Sequence, residues 1–164
     1  MSISLLANSE EMKSCDFKQD RELSFVGANS KDRLTVIVRG DTCQSSKLEL
    51  ILRNESGNIL HTHNESFSRW YWPGELREKI LAHAHKLLND SIGDTSNLKT
   101  TFACEIEEPN CEPYERNVIP MKEYLALKQQ PIPMISHSTY YEGWASWVYD
   151  TKLKKIVKVY EAGL

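Results

Sequence analysis

Two neighbouring segments, "RLTVIVR" (Arg33–Arg39) and "KLELILR" (Lys47–Arg53), place the tightest constraint on what this chain can fold into. In the first, Leu34, Val36 and Val38 alternate with Arg33, Thr35 and Arg39. In the second, Leu48, Leu50 and Leu52 alternate with Lys47, Glu49 and Arg53. Side chains of a strand point alternately to opposite faces, so each segment has one buried face and one wet face. Half-buried strands in sequence belong to an antiparallel meander. "RELSFVG" precedes them and sets Leu23 and Phe25 on one face. "NESGN" forms a hairpin turn in which Gly57 can take a positive φ. The next strand is expected from Ile59 to about Phe67, with an extension toward Trp72.

The period then changes. In "PGELREKILAHAHKLLND" the residues Leu76, Ile80, Ala84, Leu87 and Leu88 form a helical stripe. Pro73 and Glu75 suit a helix start, and Asn89 to Gly93 supplies the stop. A main helix is therefore expected over about 74–90, packed across the apolar face of the meander. "LKTTFACEIEEP" reads as a strand, "PMKEYLALKQQ" as a short second helix, and "PIPMIS" as extended. "GWASWVYDTKLKKIVKVYE" reads as a closing hairpin. The expected fold class is α+β: an antiparallel β-meander sheet, the two helices on one face, and a C-terminal β-hairpin. Residues 1–20 read as a flexible N-terminal segment, either a signal-peptide remnant around "SLLANS" or a frayed terminus. Residues 21–164 read as a single domain.

Charge and cysteine content narrow the function classes. The chain carries 20 basic and 23 acidic residues, a net charge of -3, so no basic footprint for nucleic acid is expected. No apolar run approaches the roughly 20 residues of a transmembrane helix. The cysteines are Cys15, Cys43, Cys104 and Cys111, an even number that permits two disulfides. Cys104 and Cys111 flank the acidic "EIEEPN", which leaves Cys15 for Cys43. Disulfides favour a periplasmic or secreted protein, and four reduced thiols would mean a cytoplasmic one. No C-x-x-C occurs, which removes the signature of zinc ribbons and thioredoxins. Asn54, Asn64 and Asn89 begin N-x-S sequons, which matter only in a secreted eukaryotic protein.

"HTHNESFSRWYWPGEL" is the most unusual stretch. On a strand His61, His63 and Glu65 share one face and are the weak candidates for a metal site, with a third ligand needed from elsewhere. The bland alternative, a solvated strand face, is the stronger expectation. In "HAH" the residues His83 and His85 lie about 200° apart on a helix and cannot share a metal. His83 is expected beside the apolar stripe, partly buried and hydrogen-bonded, and His85 on the surface. A Cys-His pair, Cys104 with His137, is the remaining hydrolase candidate, and the thiol is lost to it if Cys104 is oxidised.

The aromatics point elsewhere. "RWYW" and "STYYEGWASW" hold all four tryptophans, Trp70, Trp72, Trp144 and Trp147. Consecutive aromatics on a strand cannot all face inward. Arg69, Tyr71, Tyr140, Tyr141 and Glu142 are therefore the candidate binding surface, in residue types that dominate protein contacts. The acidic loop with Glu105, Glu107, Glu108 and Glu112 is a lesser one. The expected function is a small secreted or periplasmic binding protein, non-enzymatic and without a cofactor. It would act on a protein partner, an extracytoplasmic enzyme or toxin, as an inhibitor or immunity-type protein. The alternatives are a metal-dependent or cysteine hydrolase, and a lipid or small-molecule carrier with a pocket between the sheet and the main helix.

Overall fold

The computed structural model describes residues 15–67, 76–100, 115–140 and 143–163. The chain order is β1 (Phe17–Leu23), β2 (Asp32–Arg39), β3 (Lys47–Arg53), β4 (Ile59–Ser66), α1 (Leu76–Asp90) and β5 (Ile92–Asp94). After a 3-10 turn over Thr95–Asn97 come β6 (Glu115–Asn117), α2 (Met121–Gln129), β7 (Pro133–Tyr140), β8 (Gly143–Asp150) and β9 (Lys155–Ala162). The fold is α+β with antiparallel sheets, a main helix, a short second helix and the C-terminal hairpin β8–β9. The strands do not form the single sheet expected. They divide into a four-stranded sheet, β1-β2-β3-β4, and a five-stranded sheet, β5-β7-β8-β9-β6.

The alternation in β2 and β3 does what the sequence implies. Leu34, Val36, Val38, Leu48, Leu50 and Leu52 are fully buried on one face, under Ile80, Ala84, Leu87 and Leu88 of α1. That space is packed side chain against side chain. The last turn of α1 holds no basic residue, and Arg21 of β1 supplies one from the sheet. Its Nη1 donates to the carbonyls of Leu88 at 3.3 Å and Asn89 at 2.9 Å, satisfying the negative end of the helix.

The five-stranded sheet is apolar on both faces. Ile135, Trp147, Tyr149 and Ile156 join the α1 core. On the opposite face Met134, Val148, Val159 and Tyr160 pack with Leu98 and with Tyr124 of α2, which is fully buried. The two helices thus serve different cores instead of sharing one face.

Two further differences have local causes. The first strand starts at Phe17 instead of Arg21, because β2 pairs along its length with "FKQDREL", a segment polar enough to hide its period. Leu98–Thr100 is not strand, and the remainder of the strand expected through Cys104 lies outside the described residues. Gly57 does take a positive φ, 84°, in the β3–β4 hairpin.

Cys15 and Cys43 stand at disulfide distance, with Cα atoms 4.9 Å apart. Cys104 and Cys111 lie outside the described residues, as does most of the N-terminal segment 1–20. The bridge would tie the entry of β1 to the loop between β2 and β3. That loop is tightly set: a Cβ on Gly40 would come within 2.5 Å of the Ser46 Cα. Replacing both Cys15 and Cys43 by serine is expected to lower unfolding free energy by about 2–4 kcal/mol in urea melts, and by clearly less under reducing conditions, where only the cost of a serine hydroxyl at the buried Cys15 position remains. Equal midpoints for the two proteins without reductant would show that the pair is not oxidised.

Candidate functional site

The register of β3 against β4 decides where the histidines go. Leu52 lies opposite His61, Leu50 opposite His63, and Leu48 opposite Glu65. Directly opposed residues in an antiparallel pair share a face. His61, His63 and Glu65 therefore lie on the core row, and the outward residues are Thr62 and Asn64. This overturns the expectation of a solvated histidine face. The cause is a register shift between Leu52 and Arg53: Arg53 pairs with Ile59 and Leu52 with His61, so Leu60 is the extra residue. A one-residue shift exchanges the two faces of a strand.

β4 is the edge of the four-stranded sheet, and β7 and β8 of the other sheet lie against its inner face. Four of the five histidines meet at this junction, with α1 contributing the fourth. Glu65 is the centre. His63 Nε2 donates to Oε1 at 2.8 Å, His83 Nε2 donates to Oε2 at 2.7 Å, and the Ser138 hydroxyl donates to Oε1 at 3.3 Å. Only 7% of the Glu65 side chain is exposed. Burial pushes its pKa up, but the two histidine bonds and the charge on those histidines outweigh burial and bring it down to about 2.

The second half of the cluster is a histidine pair. His61 Nε2 and His137 Nε2 are 2.8 Å apart, and His137 Nδ1 lies 2.7 Å from the Ser138 carbonyl. A carbonyl only accepts, so His137 carries its proton on Nδ1 and offers a bare Nε2. His61 must then be the donor through Nε2. Two cationic rings would bring two N–H groups face to face, so at most one proton fits between them. Burial, followed by the repulsion of His63, lowers His61 to about 4. Burial likewise lowers His137 to about 4, against the opposing pull of its bond to Ser138. The rings are also stacked: His63 lies 4.0 Å from His137, and His137 lies 4.4 Å from Trp147.

The residues proposed for a metal or hydrolase site are arranged as follows. His61 turns to His137, while His63 and Glu65 bond each other, so the three do not converge on one point. Among the described residues no group of three or more His, Cys, Asp or Glu side chains is arranged to hold a metal ion. His137, the proposed partner of Cys104, is 3% exposed with both ring nitrogens engaged, and Cys104 lies outside the described residues. His83 is half-buried and bonded and His85 is exposed, in keeping with their helical positions.

The aromatic surface is only partly visible. Arg69, Tyr71, Tyr141 and Glu142, together with Trp70, Trp72 and the acidic loop residues Glu105, Glu107, Glu108 and Glu112, lie outside the described residues. Tyr140 ends β7, opposite Gly143. Of the other tryptophans, Trp147 is in the cluster and Trp144 is 45% exposed. The contributions of His137, Ser138 and Trp147 were not read from the sequence, although the alternation in "MISHSTY" already set Ile135 and His137 on one face. Compared with family models, curated proteins and solved structures, the chain matches none.

The cluster makes a pH prediction. His61 and His137 have folded pKa values below the unfolded 6.5, so between 6.5 and about 4 the unfolded chain binds more protons. Stability is full above pH 6.5 and is lost as pH falls to about 4, and Glu65 extends the loss from 4.5 toward 2. Thermal melts should fall by roughly 5 °C or more between pH 7 and pH 4.5, corresponding to about 2 kcal/mol. His137→Phe, which keeps a ring in the stack, should flatten that slope even if it lowers the melting temperature at pH 7. A wild-type melt independent of pH over this window would contradict the proton assignment.

Proposed function

We propose that this chain is a non-enzymatic binding protein of an oxidising compartment, periplasmic or secreted, that acts through contact with another protein as an inhibitor or immunity-type factor. The observation that carries the reading is the outer side of α2. Met121 is 40% exposed and Leu125 38%, one turn apart on one helix face, and Val118 just upstream is 45% exposed. Large apolar residues shown together to water are a feature of interaction surfaces. Tyr124, between them in sequence, anchors the helix to the sheet beneath, so the exposed residues are held rigidly.

Two further observations support it. The Cys15–Cys43 pair suits an oxidising compartment. Among the described residues, no helix is long and apolar enough to cross a membrane. The titratable groups of the histidine cluster satisfy one another, and their arrangement suits holding two sheets together more than meeting a substrate. The surface around Arg69, Tyr71, Tyr140, Tyr141 and Glu142 remains the second contact region of this proposal.

The experiment is affinity capture from the native extracytoplasmic fraction with three proteins side by side. These are the wild type, Met121→Lys with Leu125→Lys, and Arg69→Ala with Tyr71→Ala. A partner held by the wild type and weakened by more than about tenfold in the α2 variant, at unchanged melting temperature, is the expected result. A partner held equally by the wild type and both variants would mean that neither surface is the interface.

A further inference from the structure

α2 covers only part of the outer face of the five-stranded sheet. Beside it lies an open cleft of about 470 Å³. That is within the range of roughly 300–1,000 Å³ typical of small-molecule sites. It is separate from the histidine cluster, because Ser136 and Ser146 point to this face, whereas His137 and Trp147 point to the other.

Its lining is chemically specific. Ser136 and Ser146 are directly opposed on β7 and β8, and their hydroxyls meet at 2.7 Å. One hydroxyl donates to the other, so one donor and several lone pairs of the pair remain unused by that bond. Ser91, at the end of α1, also lines the cleft. It is 3% exposed, and its hydroxyl has no hydrogen-bond partner among the described residues. A buried hydroxyl without a partner costs on the order of 1–3 kcal/mol, so it needs a reason to persist. Trp144 stands at the same cleft with 45% of its surface exposed. Glu115 and Lys99 form an ion pair at the rim, which leaves the site without a strong net field from those two groups.

We propose that this cleft is a binding site for a neutral, hydroxyl-rich pyranose ring, a monosaccharide unit or the end of a short glycan. The ring's C–H face is slightly positive and suits the negative face of the Trp144 indole. Its hydroxyls both donate and accept, which matches serine hydroxyls that are each able to do either. The Ser91 hydroxyl, without a partner among the described residues, gains one when the ligand is in place. An anion is disfavoured, because Asp90 and Glu115 border the cleft and Lys99 is already paired. The site goes beyond the protein-contact reading and does not depend on it.

The test is a two-dimensional amide NMR titration of the full chain with maltotriose, cellotriose and N-acetylglucosamine trimer, each up to about 20 mM. The expected result is saturable shifts from at least one, centred on Ser91, Ser136, Trp144 and Ser146. Trp144→Ala should weaken that binding by about tenfold or more. Ser91→Ala should weaken it severalfold without lowering the melting temperature, because the hydroxyl removed has no partner among the described residues. No saturable shift with any of the three overturns the proposal. So does binding that Trp144→Ala leaves unchanged, or a Ser91→Ala protein that is destabilised while binding as the wild type does.

Discussion

A carboxylate removed from water must find donors for both oxygens, and the junction of this protein is arranged around that demand. Glu65 is almost wholly covered and, among the described residues, has no lysine or arginine paired with it. Its donors come from three separate parts of the chain: His63 on its own strand, His83 on α1 and Ser138 on β7. Breaking one bond would leave a buried charge short of a partner, which costs more than an intact bond contributes. The cluster therefore fixes the relative position of β4, α1 and β7 more sharply than apolar packing alone would. Leucines at the same places would tolerate sliding, whereas these bonds have length and direction.

The same junction explains why two sheets coexist. Over β2 and β3 the inner face is covered by α1, and the core there is aliphatic. At β4 the cover changes from a helix to the inner face of another sheet, and the residues change from leucine to histidine and glutamate. The second sheet must then be apolar on both faces, one toward the junction and one toward α2. Stacked imidazoles and Trp147 fill the volume at the changeover while supplying the polar atoms that Glu65 requires.

Much of the architecture was legible from periodicity. β2, β3 and α1 follow from alternation or a helical stripe, because each has its own clear period, whereas α2 and the closing hairpin are marked by the proline and the turn that bound them. The three-residue strands β5 and β6 have no period to read. The partition into two sheets depends on which strands pair, and that is a property of distant contacts. Alternation shows that His61, His63 and Glu65 share a face, and the pairing register decides which face that is. Counting outward from the "NESGN" turn without interruption sets Leu60, Thr62 and Asn64 opposite Leu52, Leu50 and Leu48. The extra residue at Leu60 shifts that count by one and brings His61, His63 and Glu65 inward. A bulge leaves no mark in composition, yet it decides every side chain after it.

The contrast between the protein's two polar assemblies bears on where recognition occurs. In the histidine cluster, His137 spends both ring nitrogens and Glu65 both carboxylate oxygens on neighbours within the fold. Such a closed network rigidifies, and at pH 7 it keeps the His61–His137 pair uncharged, since both groups are lowered to about 4. The cleft on the other sheet is the opposite case. It is open, carries an exposed indole, and retains hydrogen-bonding capacity in Ser91 that none of the described residues uses. Binding free energy comes from groups that gain partners on association, and groups already paired must first lose what they have. By that criterion the conspicuous histidine motif suits the scaffold better than recognition, and the proposed binding falls to the inconspicuous serines and Trp144.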